Sequence, residues 1–370
     1  MRRRPWRGSG HNRLDADAPT HCGFMNKKHI YIYSPSGAVR DKAAFKRGIA
    51  RLQTLGHEVE VDPSALASHL RFAGDDETRL AAIHRAAASG ADMALISRGG
   101  YGITRILGGI KYKAVARAID KGMLFVGMSD FTAFSQAVLA KTGAITWAGP
   151  ALCEGFGVAD TADEADGHGT AHAVGQRTAR ATGPDDIMED CFNDLITGQG
   201  EGAGWRQHRE AAANATNSEA THAFQTKARG TFDTYTVNNA LLWGGNLAIL
   251  SSLVGTPYLP QVKGGVLFLE DVAEHPYRVE RMLTQLLNAD ILAQQKAIVL
   301  GQFTEYKLVA HDKGFKLQTV VEWLRGQLKI PVLTNLPYGH VATKVLLPVG
   351  GLVDLVVEGR DALLLWGHDT

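Results

Sequence analysis

Three short runs, far apart in the chain, hold residue types that together could hydrolyse an acyl bond through a serine. They are Val126-Gly127-Met128-Ser129-Asp130-Phe131-Thr132, Leu267-Phe268-Leu269-Glu270-Asp271 and Pro337-Tyr338-Gly339-His340. A serine hydroxyl is a poor nucleophile until a base accepts its proton, and the imidazolium so formed needs a carboxylate to fix its tautomer and charge. Ser129, His340 and Glu270 are the candidates for nucleophile, base and acid. Leu124 to Gly127 reads as a short buried strand and Phe131 to Lys141 as a helix, so Ser129 falls on the tight corner between them. Such a corner lifts a hydroxyl off the sheet and turns the first N–H groups of the helix toward it, where they can bind an oxyanion. Serine at this place also commonly does no more than cap the helix, and the corner alone leaves both readings open.

The other two candidates are weaker when taken singly. Glu270 ends the apolar strand Val266–Leu269, where an isolated glutamate is most often a solvated strand end. His340 follows Pro337-Tyr338-Gly339 in a turn after an expected strand, a common place for a surface histidine. The local cluster Glu270, Asp271, Glu274 and His275 invites a metal reading. Its spacing is not the helical His-Glu-x-x-His pattern and no second histidine lies nearby, so neither a metal nor any other cofactor is expected.

Composition excludes several classes. At 370 residues and 45% hydrophobic, the chain can bury a large core and should divide into two domains. Its net charge of +1 draws the surface toward neither nucleic acid nor anionic lipid. Cys22, Cys153 and Cys191 are odd in number and widely spaced, which suits a reducing compartment and neither a disulfide framework nor a zinc site. No apolar run approaches the roughly 18 residues of a membrane span. The basic start, Met-Arg-Arg-Arg-Pro-Trp-Arg, has no apolar stretch behind it and is not a secretory signal. It reads as a disordered extension or as sequence upstream of a start at Met25, with an Arg-rich targeting peptide as the alternative.

These elements must carry the candidates. Strands are expected at His29–Tyr33, Glu58–Val61, Met93–Ile96 and Leu124–Gly127. Between them lie a helix displaying Phe45, Ile49, Leu52 and Leu55 and a second at Asp75–Ala88 with Asp75 as N-cap. This alternation predicts a mostly parallel, doubly wound sheet, whose ligands bind beyond the carboxyl ends of the strands. The loop Arg98-Gly99-Gly100-Tyr101-Gly102 and the Ser129 corner both lie at such ends. Residues 160–185 and 199–229 hold few large apolar side chains in spite of Trp205, and read as a linker and surface insertions. A second apolar region follows, with strands at Gly230–Val237, Val266–Leu269 and Ala297–Leu300. Helices are expected after Gly245-Asn246 and Pro276, ahead of a β-rich tail. The expected fold class is α/β: an N-terminal flavodoxin-like parallel sheet domain plus a C-terminal α/β domain with a small barrel-like β element. The expected boundaries are 1–27 disordered extension, 28–158 N-terminal domain, 159–229 linker and insertions, and 230–370 C-terminal domain.

Taken together, the motifs resemble those of the bacterial LD-carboxypeptidases, the muramoyltetrapeptide carboxypeptidases of peptidoglycan recycling. Arg98-Gly99-Gly100-Tyr101-Gly102, Gly127-x-Ser129-Asp130-Phe131-Thr132, Trp243-Gly244-Gly245-Asn246-Leu247, the run from Leu269-Glu270-Asp271 to Met282-Leu283, and Gly339-His340 occur in the family's order. The resemblance spans roughly Lys28 to Gly367. It implies a cytoplasmic serine carboxypeptidase, expected as a homodimer, with Ser129 as nucleophile, His340 as base and Glu270 as orienting acid. The backbone N–H groups of Gly100 and Asp130 would form the oxyanion hole. The substrate implied is a muropeptide, a tetrapeptide ending in D-Ala, cut at the bond between the diamino acid and D-Ala. Arg98, Tyr101 and Asn246 are the expected substrate contacts, with Arg105 a further candidate for a carboxylate. Two alternatives stay open: a same-fold immunity peptidase acting on peptide–adenylate antibiotics, for which an aromatic near Trp205 would have to stack on adenine, and a non-catalytic muropeptide binder.

Overall fold

The computed structural model of the chain describes residues 27–159, 183–208 and 234–367. The expected N-terminal extension apart from Lys27, most of the 160–185 segment, residues 209–229 and the start of the strand expected at Gly230 lie outside the described residues.

Strands β1 (His29–Tyr33), β2 (Glu58–Val61), β3 (Met93–Ile96), β4 (Leu124–Gly127) and β5 (Thr146–Ala148) run parallel. They alternate with helices α1 (Lys42–Thr54), α2 (Asp76–Ala88), α3 (Tyr112–Asp120) and α4 (Phe131–Thr142). Side chains alternate across a strand, so the inner strands β1, β3 and β4 contribute to two cores. Ile30, Ile32, Met93, Leu95 and Val126 face Phe45 and Leu52 of α1, together with Phe192 and Leu195 of α5 (Asp186–Thr197). Tyr31, Tyr33, Ala94, Ile96 and Phe125 face Ile83 of α2, Val115 of α3 and Phe134 of α4. Helices thus cover both faces, as the alternation of elements in the sequence requires. Asp41 and Asp75 cap α1 and α2, each accepting backbone N–H bonds of 2.8 Å.

The second sheet contains β6 (Gly202–Arg206), β7 (Tyr235–Asn246), β8 (Val266–Val272), β9 (Ala297–Thr304), β10 (Val332–Leu333), β12 (Leu352–Glu358) and β13 (Asp361–Leu365). Its order is β10-β9-β8-β7-β12-β13-β6, parallel from β10 to β7 and antiparallel beyond. The antiparallel strands expected near the C-terminus therefore form one flank of this sheet. Helices α6 (Leu247–Ser252), α7 (Pro276–Asn288) and α8 (Leu317–Gln327) join its parallel strands. One strand crosses between the halves: β11 (Leu347–Val349) leaves the second half of the chain and pairs antiparallel with β5 of the first sheet.

Part of the expected linker is corrected here. Helix α5 and strand β6 both fall between residues 159 and 229, and β6 pairs with β13 along its whole length. In β6, Ala203 and Trp205 point inward and Gly202 and Gly204 do not. A Cβ on Gly202 would stand 2.7 Å from the Leu364 carbonyl. At Gly202, therefore, a small residue that reads as an inability to bury apolar surface is there because the neighbouring strand approaches too closely for a side chain. Trp205 is buried, and its indole N–H donates to the Thr334 carbonyl at 3.0 Å.

Candidate active site

Ser129 stands between the end of β4 and the start of α4 with φ of +61°, a left-handed conformation that a non-glycine residue adopts only under constraint. The half-buried side chain faces the glycine loop that follows β3. A Cβ on Gly99 would lie 2.7 Å from Ser129 Cβ and 3.0 Å from its Oγ, so glycine is required there for space. Gly100 is required for conformation as well, with φ of +119° and the Gly37 backbone 3.2 Å from where a Cβ would be. The N–H groups of Gly100 and Asp130 form no hydrogen bond among the described residues.

The Asp130 side chain points the other way, into the protein. It is fully buried, and its Oδ2 accepts from Ser36 Oγ at 2.5 Å and from the Ile103 N–H at 2.9 Å. Burial pushes this carboxyl above its usual range, against the pull of those two donors. Asp130 thereby ties the serine corner to the loops after β1 and β3.

Glu270 and His340 meet at the equivalent end of the second sheet. His340 Nδ1–H donates to Glu270 Oε2 at 2.9 Å, and Glu270 is completely buried. The register of β8 against β9 shifts between Leu269 and Asp271, a bulge at the acid itself. A bulge re-aims side chains that would otherwise alternate. Here both Glu270 and Asp271 accept from one amide, Asn246 Nδ2, at 3.2 and 3.0 Å. Asp271 also accepts the N–H groups of Val272 and Ala248, both at 2.9 Å. Burial and the neighbouring charge of Glu270 push the Asp271 carboxyl up to about 6. For His340, burial alone would lower the imidazole. The bond to Glu270 and the charges of Glu270 and Asp271 outweigh it, so the ring sits above its ordinary value of 6.5. Gly339, at φ of +140°, passes so close that a Cβ would come within 3.2 Å of Glu270 Oε2.

The two halves join through the Trp243-Gly244-Gly245-Asn246 run. A Cβ on Gly245 would come within 2.5 Å of Thr132 Oγ1. That hydroxyl accepts the Asn246 N–H at 3.0 Å, and Gln136 Nε2 donates to the Gly244 carbonyl at 2.7 Å. A continuous path therefore leads from α4, the helix that follows Ser129, through Asn246, to Glu270 and His340. No hydrogen bond joins Ser129 Oγ to His340 among the described residues.

The remaining expectations divide. Arg98, mostly buried, stands beside Gly99 with Nη1 donating to the Ala38 carbonyl at 3.2 Å and Nε 3.5 Å from Glu154. Tyr101 is exposed, its ring against Phe72 and under the Arg71 guanidinium. Asn246 differs from its expected part as a substrate contact. It is buried, its Nδ2 is used by Glu270 and Asp271, and its Oδ1 caps α6 by accepting the Ile249 N–H at 3.1 Å. Arg105 is taken up by Asp76 at 3.1 Å. The metal reading finds no support in the donor geometry: Glu274 pairs with Arg278, His275 with Asp312, and no metal-holding group of three or more such residues exists among the described residues. Sequence reasoning considered Asp271 only as a metal ligand and gave Thr132 and Lys344 no part of their own, because neither stands in a spacing that signals chemistry.

Comparison with known proteins places this arrangement. Residues 30–149 match the LD-carboxypeptidase N-terminal domain and residues 239–355 the LD-carboxypeptidase C-terminal domain. The chain belongs to the LD-carboxypeptidase family. A putative carboxypeptidase of Synechocystis is 29% identical over 88% of this chain and 90% of its own length. The crystal structure of a muramoyltetrapeptide carboxypeptidase from Oxalobacter formigenes aligns with a TM-score of 0.71 at 34% identity, over 92% of this chain and all of that one. The microcin C7 self-immunity protein of Escherichia coli is also similar, at 25% identity over 68% of this chain and 67% of its own. Membership of this LD-carboxypeptidase family makes the protein a hydrolase of the peptidase class. Among the described residues no helix is long and apolar enough to cross a membrane.

Proposed function

We propose that the protein is a serine LD-carboxypeptidase that releases the terminal D-Ala from murein tetrapeptides during peptidoglycan recycling in the cytoplasm. The observation that carries this reading is the buried Glu270 bonded to His340 Nδ1, reached through hydrogen bonds from the helix that follows Ser129. With Nδ1–H held by the carboxylate, the neutral ring presents its lone pair at Nε2, the face a base must use. His340 Nε2 takes the Ser129 proton as Oγ attacks the carbonyl carbon. The oxyanion is received by the free N–H groups of Gly100 and Asp130. The protonated Nε2 then delivers its proton to the amine of the departing D-Ala, and water hydrolyses the acyl-serine by the reverse use of the same base.

The nucleophile comes from the first sheet and the base from the second, so a peptide bound across both would draw Ser129 Oγ and His340 Nε2 into contact. An adenylate substrate has less to support it. Such a substrate needs an aromatic near Trp205 to stack on adenine, and Trp205 itself is buried with its N–H bonded to Thr334. The test is D-Ala release from a free tetrapeptide, with pentapeptide and peptide–adenylate as controls and fluorophosphonate labelling as a second measure. Release from the tetrapeptide alone and labelling at Ser129 are expected. Turnover of the adenylate in preference, or labelling at another residue, would contradict the reading.

A further inference from the structure

Lys344 lies four residues beyond His340, is 2% exposed, and has neither a hydrogen bond nor an ion pair among the described residues. An ammonium on so enclosed a side chain, with no protein acceptor and only its tip open to solvent, is costly to keep. We infer that Lys344 is the receptor for the substrate's free C-terminal carboxylate, and so the residue that restricts this site to cutting at a chain end. The inference rests on the carboxypeptidase reading above and assigns it a specificity determinant.

Local geometry holds the side chain in the catalytic region. The Val345 N–H donates to the Pro337 carbonyl at 2.8 Å, which closes residues 337–345 into one short loop bearing both His340 and Lys344. Thr343 Oγ1 anchors that loop by donating to Asp185 Oδ2 at 2.6 Å. Immediately afterwards the chain enters β11 of the first sheet, and Leu346 packs where Gly149 meets Val126 of β4, the strand that leads to Ser129. Lys344 therefore stands where the chain passes from the acid–base half to the nucleophile half. Burial lowers its ammonium, against the charges of Glu154, Asp185 and Glu270, and its own charge acts in turn on His340.

The chemistry selects this side of the site. In the collapse of the tetrahedral intermediate, His340 Nε2 gives its proton to the leaving nitrogen, so that nitrogen must lie at the imidazole. In a C-terminal residue the carboxylate carbon follows through a single Cα, within about 2.5 Å of the nitrogen. The cation that reads it must then belong to the histidine side, whereas Arg98 stands on the glycine-loop side and is already bonded to Ala38 and Glu154. A free carboxylate supplies the acceptor that Lys344 lacks. A peptide extended beyond D-Ala, or capped as an amide, would leave the ammonium buried and unpaired, a discrimination stronger than one from shape alone.

The experiment compares kcat/KM for tetrapeptide ending in D-Ala with that for the same peptide ending in D-alaninamide, in wild type, Lys344→Met and Lys344→Arg. The preference is a ratio within each protein and does not depend on how much of a variant is folded. Wild type should prefer the free acid. Lys344→Met should lose about 10- to 100-fold on the acid while the amide changes little, so that the preference collapses. Lys344→Arg should keep much of it. The melting temperature of Lys344→Met should be unchanged or higher, because a near-isosteric apolar chain replaces an unpaired buried charge. An equal loss on acid and amide, or an unaltered preference, would overturn the assignment. Wild type that releases nothing from either peptide would instead overturn the carboxypeptidase reading itself, and the two failures are told apart by that control.

Discussion

Ser129 is held by backbone geometry and by the absence of side chains around it, whereas Glu270 and His340 are held by other side chains. On the nucleophile side, a left-handed φ at Ser129 and the lack of any Cβ at Gly99 set where the hydroxyl stands. On the acid–base side, a strand bulge brings two carboxylates to one asparagine, and the imidazole is fixed by a single bond to a buried oxygen. The first arrangement tolerates almost no added volume. The second tolerates shape changes better than changes in donors and acceptors, because each buried polar atom depends on its partner. The difference sets which substitutions damage each half and how the damage should appear in kinetics.

Apart from removal of the nucleophile or the base itself, the largest effect is expected at Glu270. Glu270→Gln keeps the shape but offers Nδ1 of His340 the wrong tautomer, and kcat should fall by about a thousandfold or more. The pH profile gives a second signature. His340 must be neutral to act, so activity rises as pH rises through its pKa, which Glu270 holds above 6.5. Without the carboxylate's charge, burial prevails and that limb should move to lower pH. Glu274→Gln should stay within about twofold of wild type, since it breaks only the pair with Arg278. A greater loss at Glu274 than at Glu270 would show that the acid is misassigned.

Gly99→Ala should cost about a hundredfold in kcat with little loss of fold, because the new Cβ must displace the Ser129 side chain from where it stands. Retention of full rate would mean that the serine has freedom the corner does not suggest. The smallest effect is expected at Asn246. Asn246→Ser keeps a helix cap and removes the amide shared by Glu270 and Asp271. A residue that acts through Glu270 should lower kcat by about tenfold and leave KM unchanged, whereas a substrate contact would raise KM.

The same difference explains what could be read from the sequence. The strands and helices around Ser129 are visible because each is local: apolar runs bounded by glycine, Asp75 as a cap, and a serine between a strand and a helix. The acid–base half depends on contacts between distant residues. No periodicity announces the bulge at Glu270, the turning of Asn246 toward it, or the unpaired ammonium of Lys344. The crossing of β11 into the first sheet is equally silent, since three residues carry no pattern of their own. Strand β6 was obscured by its composition, because glycine marks both disorder and close approach.

A double-mutant cycle in kcat/KM for D-Ala release, using Ser129→Ala, His340→Ala and both together, asks whether the two halves work as one unit. Each single variant should lose on the order of a millionfold in kcat, and the double variant little more than either. Losses that multiply, or a His340→Ala variant with near wild-type turnover, would mean that Ser129 and His340 do not form one catalytic unit.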